Sequence, residues 1–255
     1  MSLKCAMWVF VAMWVVTSQA VDSSRAFTNR TSKVFTNKTS KTVTNQMTKI
    51  STNQPPQIAT NVVVTAPQVP GDKYTNGVGM HLLKMPGGYW AGEYEVTQKE
   101  YQKVMESNPS SFGGETRPVD NVSWTDAMAF CDKLTEDELK SNKLPDGFYY
   151  ALPTEAQWES MLADASLADA VTSQGNPAGG TSPAGSLGPN SLGLYDMRGN
   201  VAEFCLGDAS KPYRVLRGGS WQDWIEINLR TAFRVYCPTE EHKNTYGFRC
   251  VLMQR

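Results

Sequence analysis

Apolar residues at helical spacing, each group preceded by a polar start signal, predict three helices in the middle of the chain. Each start has a hydroxyl residue followed three positions later by an acid or an amide, which is the pattern of a capping box. The three pairs are Thr97 with Glu100, Ser123 with Asp126, and Thr154 with Gln157. The apolar faces of the second and third helices comprise Trp124, Ala127, Met128, Cys131 and Leu134, then Trp158, Met161 and Leu162.

The segment after the third helix has the pattern of a long loop followed by short strands. Residues 175–193 contain six glycines and three prolines, which exclude a regular helix there. Short runs with β propensity follow at 214–217, 230–235 and 246–253. A few helices followed by a loop-rich half with strands indicate an α+β fold. Long loops are where binding or chemistry usually occurs.

The chain begins with a segment typical of exported proteins. Lys4 precedes an apolar run from Ala6 to Val16, and the small residues Ser18 and Ala20 complete a secretory cleavage site. This run is about half as long as the roughly twenty residues that a membrane-spanning helix needs. We therefore expect residues 1–20 to be a cleaved signal peptide, with an uncleaved membrane anchor as the alternative. The mature chain would be periplasmic, on the cell surface or secreted, without a transmembrane helix.

Residues 21–73 form a polar, basic segment with an internal repeat. The pair Thr-Asn recurs every eight residues between positions 28 and 61, and residues 21–70 carry a net charge of +5. Such a segment buries too little apolar surface to offset its chain entropy, so we expect a disordered tether. An anionic surface polymer is the partner that its charge would suit.

The remaining residues, 74–255, have the composition of one globular domain. The whole chain is 40% hydrophobic with a formal net charge of −1, which excludes general disorder and argues against a nucleic-acid partner. Two histidines are too few for a site that needs three, and five cysteines are too few for a disulfide-rich scaffold.

Seven short motifs in this domain occur in an order that is typical of one family. They lie at 86–90 (PGGYW), 92–101 (GEYEVTQKEY), 117–131 (RPVDNVSWTDAMAFC), 152–159 (LPTEAQWE), 193–205 (GLYDMRGNVAEFC), 214–221 (RVLRGGSW) and 246–250 (YGFRC). From residue 74 onward the chain resembles the formylglycine-generating enzyme, or sulfatase-modifying factor, family. The resemblance implies that family's variant of the C-type lectin fold, which is α+β and loop-rich, with few helices and short antiparallel strands.

The family's founding activity is the aerobic oxidation of a sulfatase cysteine to Cα-formylglycine. In that enzyme two cysteines, five positions apart after the RGGS motif, bind copper(I) and the substrate thiol, because soft thiolates hold Cu(I). The matching positions are Asp223 and Asn228, and neither side chain can act as a thiolate. We therefore expect no catalytic residue and no copper cofactor. A displaced oxidase site built from Cys205 and Cys237 is the alternative.

The resemblance also implies a structural calcium ion and a disulfide. The implied calcium ligands are the side chain of Asp196, the backbone carbonyls of Gly199 and Val201, and the side chain of Glu203. Calcium prefers six to eight oxygen ligands of these kinds, and a capped turn with two solvated acids is the alternative interpretation. Cys131 and Cys250 match the family's buried disulfide.

A candidate ligand groove lies at the same place as the missing cysteine pair. It would comprise Trp221, Asp223, Trp224, Asn228 and Arg230. We expect an exported protein that acts as a binding or structural module of the cell envelope, with an envelope ligand or protein as its partner and without oxidase activity. One alternative is a formylglycine-generating oxidase with a displaced site. The other is a C-type-lectin-like diversified ligand receptor, since hypervariable members of the family vary their surface between the RGGSW-like and GFR-like motifs.

Overall fold

A computed structural model describes residues 67, 70–172, 179–208 and 210–255. The predicted signal peptide, residues 1–20, and the repeats of the predicted tether lie outside the described residues. The described residues belong to one compact unit, which contains residues 61–255. Within those ranges, no helix has the length and apolar character needed to cross a bilayer.

Three short helices and two small sheets make up the described part of the chain. The elements in chain order are β1 (Lys73–Thr75), β2 (His81–Lys84), β3 (Trp90–Gly92), α1 (Gln98–Met105), α2 (Trp124–Lys140), β4 (Phe148–Ala151), α3 (Glu155–Leu162), β5 (Ala202–Phe204), β6 (Tyr213–Arg217), a 3₁₀ helix (Glu226–Leu229), β7 (Val235–Pro238), β8 (Tyr246–Gly247) and β9 (Val251–Gln254). This content confirms the α+β, loop-rich architecture that the sequence predicts.

All three helices begin where the capping boxes place them. Thr97 accepts from the backbone N–H of Glu100 at 3.3 Å, and the Glu100 carboxylate accepts from the Thr97 N–H at 2.8 Å. Ser123 and Thr154 make the same reciprocal pair of bonds at the starts of α2 and α3. Each box satisfies two backbone donors that a helix start otherwise leaves unpaired, which fixes the first residue of the helix.

The larger sheet joins the two ends of the folded region. Its strand order is β1-β2-β3-β9-β4, and every neighbouring pair is antiparallel. The last strand, β9, lies between β3 and β4, where Leu252 is opposite both Trp90 and Tyr150. The smaller sheet has the order β7-β6-β5-β8, with one parallel pair between β5 and β8.

The sequence pattern is wrong about the strands before the long loop. It placed strands only in the C-terminal half, whereas β1 to β4 precede α3 and three of them precede α1. These strands are only three or four residues long, and their burial patterns differ, from exposed and buried positions in β2 to complete burial in β3. No alternation long enough to signal a strand exists in such segments. The partner that joins β3 to β4, the strand β9, is also distant in sequence.

Of the three strands predicted in the C-terminal half, the one at 214–217 is confirmed as β6, and the other two differ from the prediction. The predicted strand at 230–235 is a turn up to Arg234, in which the Phe233 N–H donates to the Arg230 carbonyl at 2.9 Å, and β7 begins at Val235. The predicted strand at 246–253 is divided between β8 and β9. Between them, the carbonyls of Phe248 and Cys250 accept from the segment at 92–96, at 2.9 Å in each case.

Two apolar clusters form the core and position the loops. In the larger one, Phe130 of α2 stacks on Tyr101 of α1 with ring centroids 5.5 Å apart and meets the edge of Phe248 at 5.3 Å. Such aromatic pairs add roughly 0.5–1.5 kcal/mol each beyond simple burial. The second cluster includes Trp158 and Met161 of α3, which pack beneath the loop that carries the predicted calcium ligands.

Candidate functional site

The structure brings Asp223 and Asn228 into direct contact. The Asn228 side-chain amide donates to Asp223 Oδ1 at 2.7 Å, and the other carboxylate oxygen accepts from the Ser220 N–H at 2.8 Å and its hydroxyl at 3.1 Å. The two positions that the motif resemblance assigns to the cysteine pair therefore face each other. They carry a hydrogen-bonded carboxylate and amide, a pair of hard oxygen and nitrogen groups with no sulfur ligand for Cu(I).

Two glycines of the RGGS motif make this contact sterically feasible. Gly218 and Gly219 have φ values of +92° and +73°, in the left-handed region that favours glycine. A Cβ on Gly219 would lie 2.7 Å from a methyl group of Leu229 and 2.9 Å from the Asn228 carbonyl oxygen. The chain therefore turns tightly against the 3₁₀ helix, and Asp223 meets Asn228 across that turn.

Asp223 lies between two surface depressions. The first, of about 410 Å³, is lined by Leu167, Ala168, Thr172, Asp223, Trp224, Glu226 and Leu229. The second, of about 330 Å³, is lined by Ala202, Gly219, Ser220, Gln222, Asp223, Phe233, Val235, Lys243, Thr245 and Tyr246. We call the first the acidic depression and the second the Lys243 depression. Together they occupy the region in which the sequence predicts a ligand groove.

The other predicted groove residues have different environments. The Trp224 side chain lines the acidic depression and is 67% exposed. Trp221 is only partly exposed, because its indole N–H donates to the Asn244 carbonyl at 2.9 Å and its ring contacts Phe112. Arg230 is exposed and lies 3.9 Å from Glu226. Trp221 therefore holds loops together, whereas Trp224 presents most of its surface to solvent.

Two arginines that the groove prediction did not include, the partly buried Arg198 and the buried Arg217, hold together the elements around this region. The guanidinium of Arg198 donates to the carbonyls of Ala165 and Leu229 and lies 3.5 Å from the Thr231 hydroxyl. It therefore connects the loop after α3 with the end of the 3₁₀ helix. A single arginine in a polar loop belongs to no motif, so the sequence does not indicate that it joins two loops.

Arg217 connects β6 with α3 through a network of ion pairs. Its fully buried guanidinium pairs with Glu155 and Glu159 at 2.8 Å each, and the half-exposed Arg234 pairs with the same two carboxylates. The Arg217 guanidinium also stacks over the Trp158 ring, 4.9 Å from its centroid. The two glutamates, one helical turn apart, therefore have a structural role as partners of arginine.

Three buried carboxylates surround the predicted calcium site. Glu203 accepts from Arg249 at 2.7 Å through one oxygen and from the Trp158 indole at 2.9 Å through the other. Asp196 accepts from the Gly185 N–H at 2.7 Å through Oδ2, while its buried Oδ1 has no hydrogen-bond partner. Glu95, also buried, accepts from the Val201 N–H at 3.0 Å.

The electrostatics of this cluster favour an added positive charge. Burial, and then repulsion from Asp196 and Glu203, raise the pKa of Glu95 well above its usual value. Burial also raises the pKa of Asp196, although Arg249 opposes the shift. Asp196 Oδ1 thus suits a cation, whereas both Glu203 oxygens already accept hydrogen bonds. In the ranges that the structure covers, no set of three or more His, Cys, Asp or Glu side chains is arranged to hold a metal ion.

The four cysteines that the structure describes fall into one adjacent pair and two separated residues. The sulfurs of Cys131 and Cys250 lie 3.5 Å apart as buried thiols, so the predicted partners are neighbours without a bond. Cys205 and Cys237 belong to different apolar clusters. Cys205 directly follows β5 and Cys237 lies in β7, and β6 lies between these two strands in the smaller sheet. Burial raises the pKa of Cys237 to about 11 and also raises that of Cys205. Their placement does not form a replacement thiolate pair.

The sequence matches a family model and is similar to several known proteins. Residues 46–254 match the model described as the sulfatase-modifying factor enzyme 1-like domain. The chain is 31% identical over 193 residues to the chaperone protein LppX of Paenibacillus barcinonensis, which covers 52% of this chain and 69% of LppX. It is 31% identical over 163 residues to the inactive C-alpha-formylglycine-generating enzyme 2 of Bos taurus, covering 52% of this chain and 49% of that protein.

A solved structure supports the fold. Treponema denticola variable protein 1 superposes with a TM-score of 0.57 at 27% identity, covering 72% of this chain and 92% of that protein. The fold is therefore the formylglycine-generating-enzyme variant of the C-type lectin fold, as the motifs imply.

Proposed function

The chain belongs to the sulfatase-modifying factor enzyme 1-like family, and from this premise we propose that it is a member without copper-dependent cysteine oxidase activity. In this proposal it acts after export as a binding or structural module of the cell envelope. The ligand surface is the groove on either side of Asp223. Export rests on the apolar run and cleavage motif of residues 1–20.

The hydrogen bond between Asn228 and Asp223 carries this proposal. The oxidase chemistry of the family needs two thiolates that meet at these positions, and the positions do meet, at 2.7 Å, as an amide and a carboxylate. Cu(I) prefers sulfur ligands to both groups. The buried thiols of Cys205 and Cys237 lie in separate clusters and remain protonated near neutral pH because burial raises their pKa.

Two of the relatives support a role without catalysis. The bovine protein is named as inactive, and LppX is named as a chaperone, a class that acts by binding other proteins. The chain spans about half the length of the bovine protein, so the inactivity of that protein is extended to this chain only as part of the proposal.

Mass spectrometry tests the loss of oxidase activity. A peptide with a sulfatase-type cysteine motif is incubated aerobically with Cu(I) and the purified chain, and an active family member serves as the positive control. We expect the cysteine to remain a thiol. Conversion to the aldehyde would overturn the proposal and would direct attention to Cys205 and Cys237 as a displaced site.

Similarity to a variable protein favours a second candidate function, a diversified ligand receptor. The similar structure from Treponema denticola is named as a variable protein, at 27% identity and a TM-score of 0.57. In this chain the segment between Trp221 and Gly247 exposes large side chains such as Trp224, Ile227 and Tyr236. Sequencing of close relatives tests this candidate, which requires substitutions clustered in that segment and little change in the core.

We also propose that calcium binds beside Asp196. Three buried carboxylates face a single buried arginine, and Asp196 Oδ1 has no hydrogen-bond partner. Terbium, a luminescent substitute for calcium, tests the site because Trp158 contacts Glu203 and would sensitise emission. We expect emission that calcium displaces and that Asp196→Ala abolishes, with the exposed Asp146→Ala as the control. Emission unchanged by Asp196→Ala would exclude this site.

A further inference from the structure

The segment that borders the acidic depression exposes an unusual amount of apolar surface. Trp224 is 67% exposed, Ile225 42% and Ile227 54%, within four consecutive residues. Exposed apolar side chains on a soluble protein are normally scattered, and a contiguous group indicates a contact surface. Of these three side chains, Trp224 lines the depression of about 410 Å³, together with Leu167 and Leu229, and the two isoleucines belong to the same exposed segment.

This surface is held in place by its neighbours. Leu229, at the end of the 3₁₀ helix, is buried, and its carbonyl accepts from Arg198. At the other end, Asp223 accepts from Ser220 and Asn228. Because both ends of the segment are fixed, a ligand would meet a preformed surface and would not have to order a loop.

Among the described residues, the lining of the depression is acidic. It contains the carboxylates of Asp223 and Glu226. Two described cations lie close to it. The guanidinium of Arg198 donates to the carbonyl of Leu229, and Arg230 lies 3.9 Å from Glu226, with both of those side chains more than 60% exposed. Such an exposed pair is weak and competes poorly with a ligand cation that binds inside the depression.

We propose that the acidic depression binds a lysine side chain presented by a basic peptide of a partner protein. The ammonium group meets Asp223 and Glu226, its charge lies near the face of Trp224, and its four methylenes pack against Leu167 and Leu229. This assignment rests on the proposed function, because it specifies the ligand class of the same groove.

The existing hydrogen bonds of Asp223 favour lysine over arginine. Arginine gains most from a carboxylate with two open oxygens, which it binds through two parallel hydrogen bonds. Both oxygens of Asp223 already accept bonds from Ser220 and Asn228. A compact ammonium needs only one remaining lone pair on each carboxylate, so it matches what the depression offers.

Calorimetry with a tetralysine peptide tests this inference on the full-length chain at about 50 mM salt, where charges are weakly screened. We expect saturable binding that Glu226→Gln weakens about tenfold or more, since a hydrogen bond to a charged group contributes about 1.5–3 kcal/mol. The matched control is Glu136→Gln, which also removes an exposed glutamate from an i,i+4 ion pair, with Lys140. This control should leave the affinity unchanged.

Two further measurements distinguish a failure of the lysine assignment from a failure of the proposed function. Tetralysine acetylated on its side chains keeps the stem and loses the charge, so it should not bind, and Trp224→Ala should also abolish binding. Equal affinity for the acetylated peptide, or equal loss in Glu136→Gln, would overturn the lysine assignment. Absence of tetralysine binding, with the peptide cysteine still unoxidised in the aerobic assay, would overturn only the ligand class. Aldehyde formation would overturn the proposed function itself.

Discussion

At the scale of single residues, the contact between Asp223 and Asn228 is a hydrogen bond across a tight turn. The glycine turn at 218–219 and this bond hold the two side chains 2.7 Å apart, so a single ligand could contact both positions. In the proposed function these positions correspond to the family's cysteine pair. We therefore expect two thiols introduced there to meet without rebuilding of the loop.

The double variant Asp223→Cys with Asn228→Cys should bind Cu(I). The Asp223 and Asn228 side chains already lie within 2.7 Å of each other, and two thiolates at that position form the soft site that Cu(I) prefers. Competition with a chromophoric Cu(I) chelator measures the affinity. The unmodified chain, which keeps Cys205 and Cys237, is the control and should compete at least about a hundredfold less well. Equal competition by both proteins would show that another site binds the copper.

Asp126 should make the stability of the domain sensitive to acid. Although burial opposes it, hydrogen bonds from the Ser123 N–H and hydroxyl and from His242 lower the pKa of Asp126 below its usual value. A carboxyl with a lowered pKa stabilises the fold above its unfolded pKa of about 3.9, and this contribution disappears as the pH falls through the folded value.

Urea unfolding at several pH values between about 2.5 and 7 checks this expectation for Asp126. Asp126→Asn should lower the unfolding midpoint at neutral pH and flatten the decline below about pH 4. Asp132→Asn, which changes an exposed aspartate of the same helix, should preserve both the midpoint and the decline. An Asp126→Asn curve that parallels the unmodified one would contradict the assignment.

At the scale of secondary-structure elements, local signals were readable in the sequence and distant partners were not. The helix starts at Thr97, Ser123 and Thr154 depend on residues three positions apart, so a capping box predicts them. The strands β3 and β4 both pair with β9, about 100 or more residues later in the chain, and no local pattern records that. The spacing after the RGGS motif predicted the positions of Asp223 and Asn228. Nothing in that motif indicated that Arg198 would hold the neighbouring loops together.

The connection between β6 and α3 depends on Arg217 more than on Arg234, although both contact the same two glutamates. Arg217→Ala should destabilise the fold by about 2–4 kcal/mol, since it removes a buried charge and its contact with Trp158. Arg234→Ala, the matched control, loses a half-exposed ion pair and should cost less than about 1 kcal/mol. Denaturant unfolding measures both, and equal losses would show that burial of Arg217 is unimportant.

At the scale of the whole molecule, the core links residues that are far apart in the chain. Cys131 of α2 and Cys250, just before β9, are separated by 119 positions and their sulfurs by 3.5 Å. A disulfide bond length is about 2.05 Å, so a small shift allows the bond. The long loop that it would close makes this the pair with the largest expected effect on global stability.

Oxidation of Cys131 and Cys250 should raise the free energy of unfolding by about 4–5 kcal/mol in the chain-entropy model. Comparison of unfolding with and without reductant measures the gain, and peptide mapping identifies the bond. Cys205→Ala should retain the response to reductant, whereas Cys131→Ala should lose it. A response that persists in Cys131→Ala would assign the bond to other cysteines.

The central position of β9 has a consequence for biosynthesis. Because β3 and β4 are joined through this strand in the described part of the chain, the larger sheet has no middle until the ribosome has translated Val251–Gln254. Sheets built from sequence-distant strands fold slowly, so we expect the larger sheet to form late, after β9 has been synthesised. A premature stop before Val251 would leave the two halves of the sheet without a common strand.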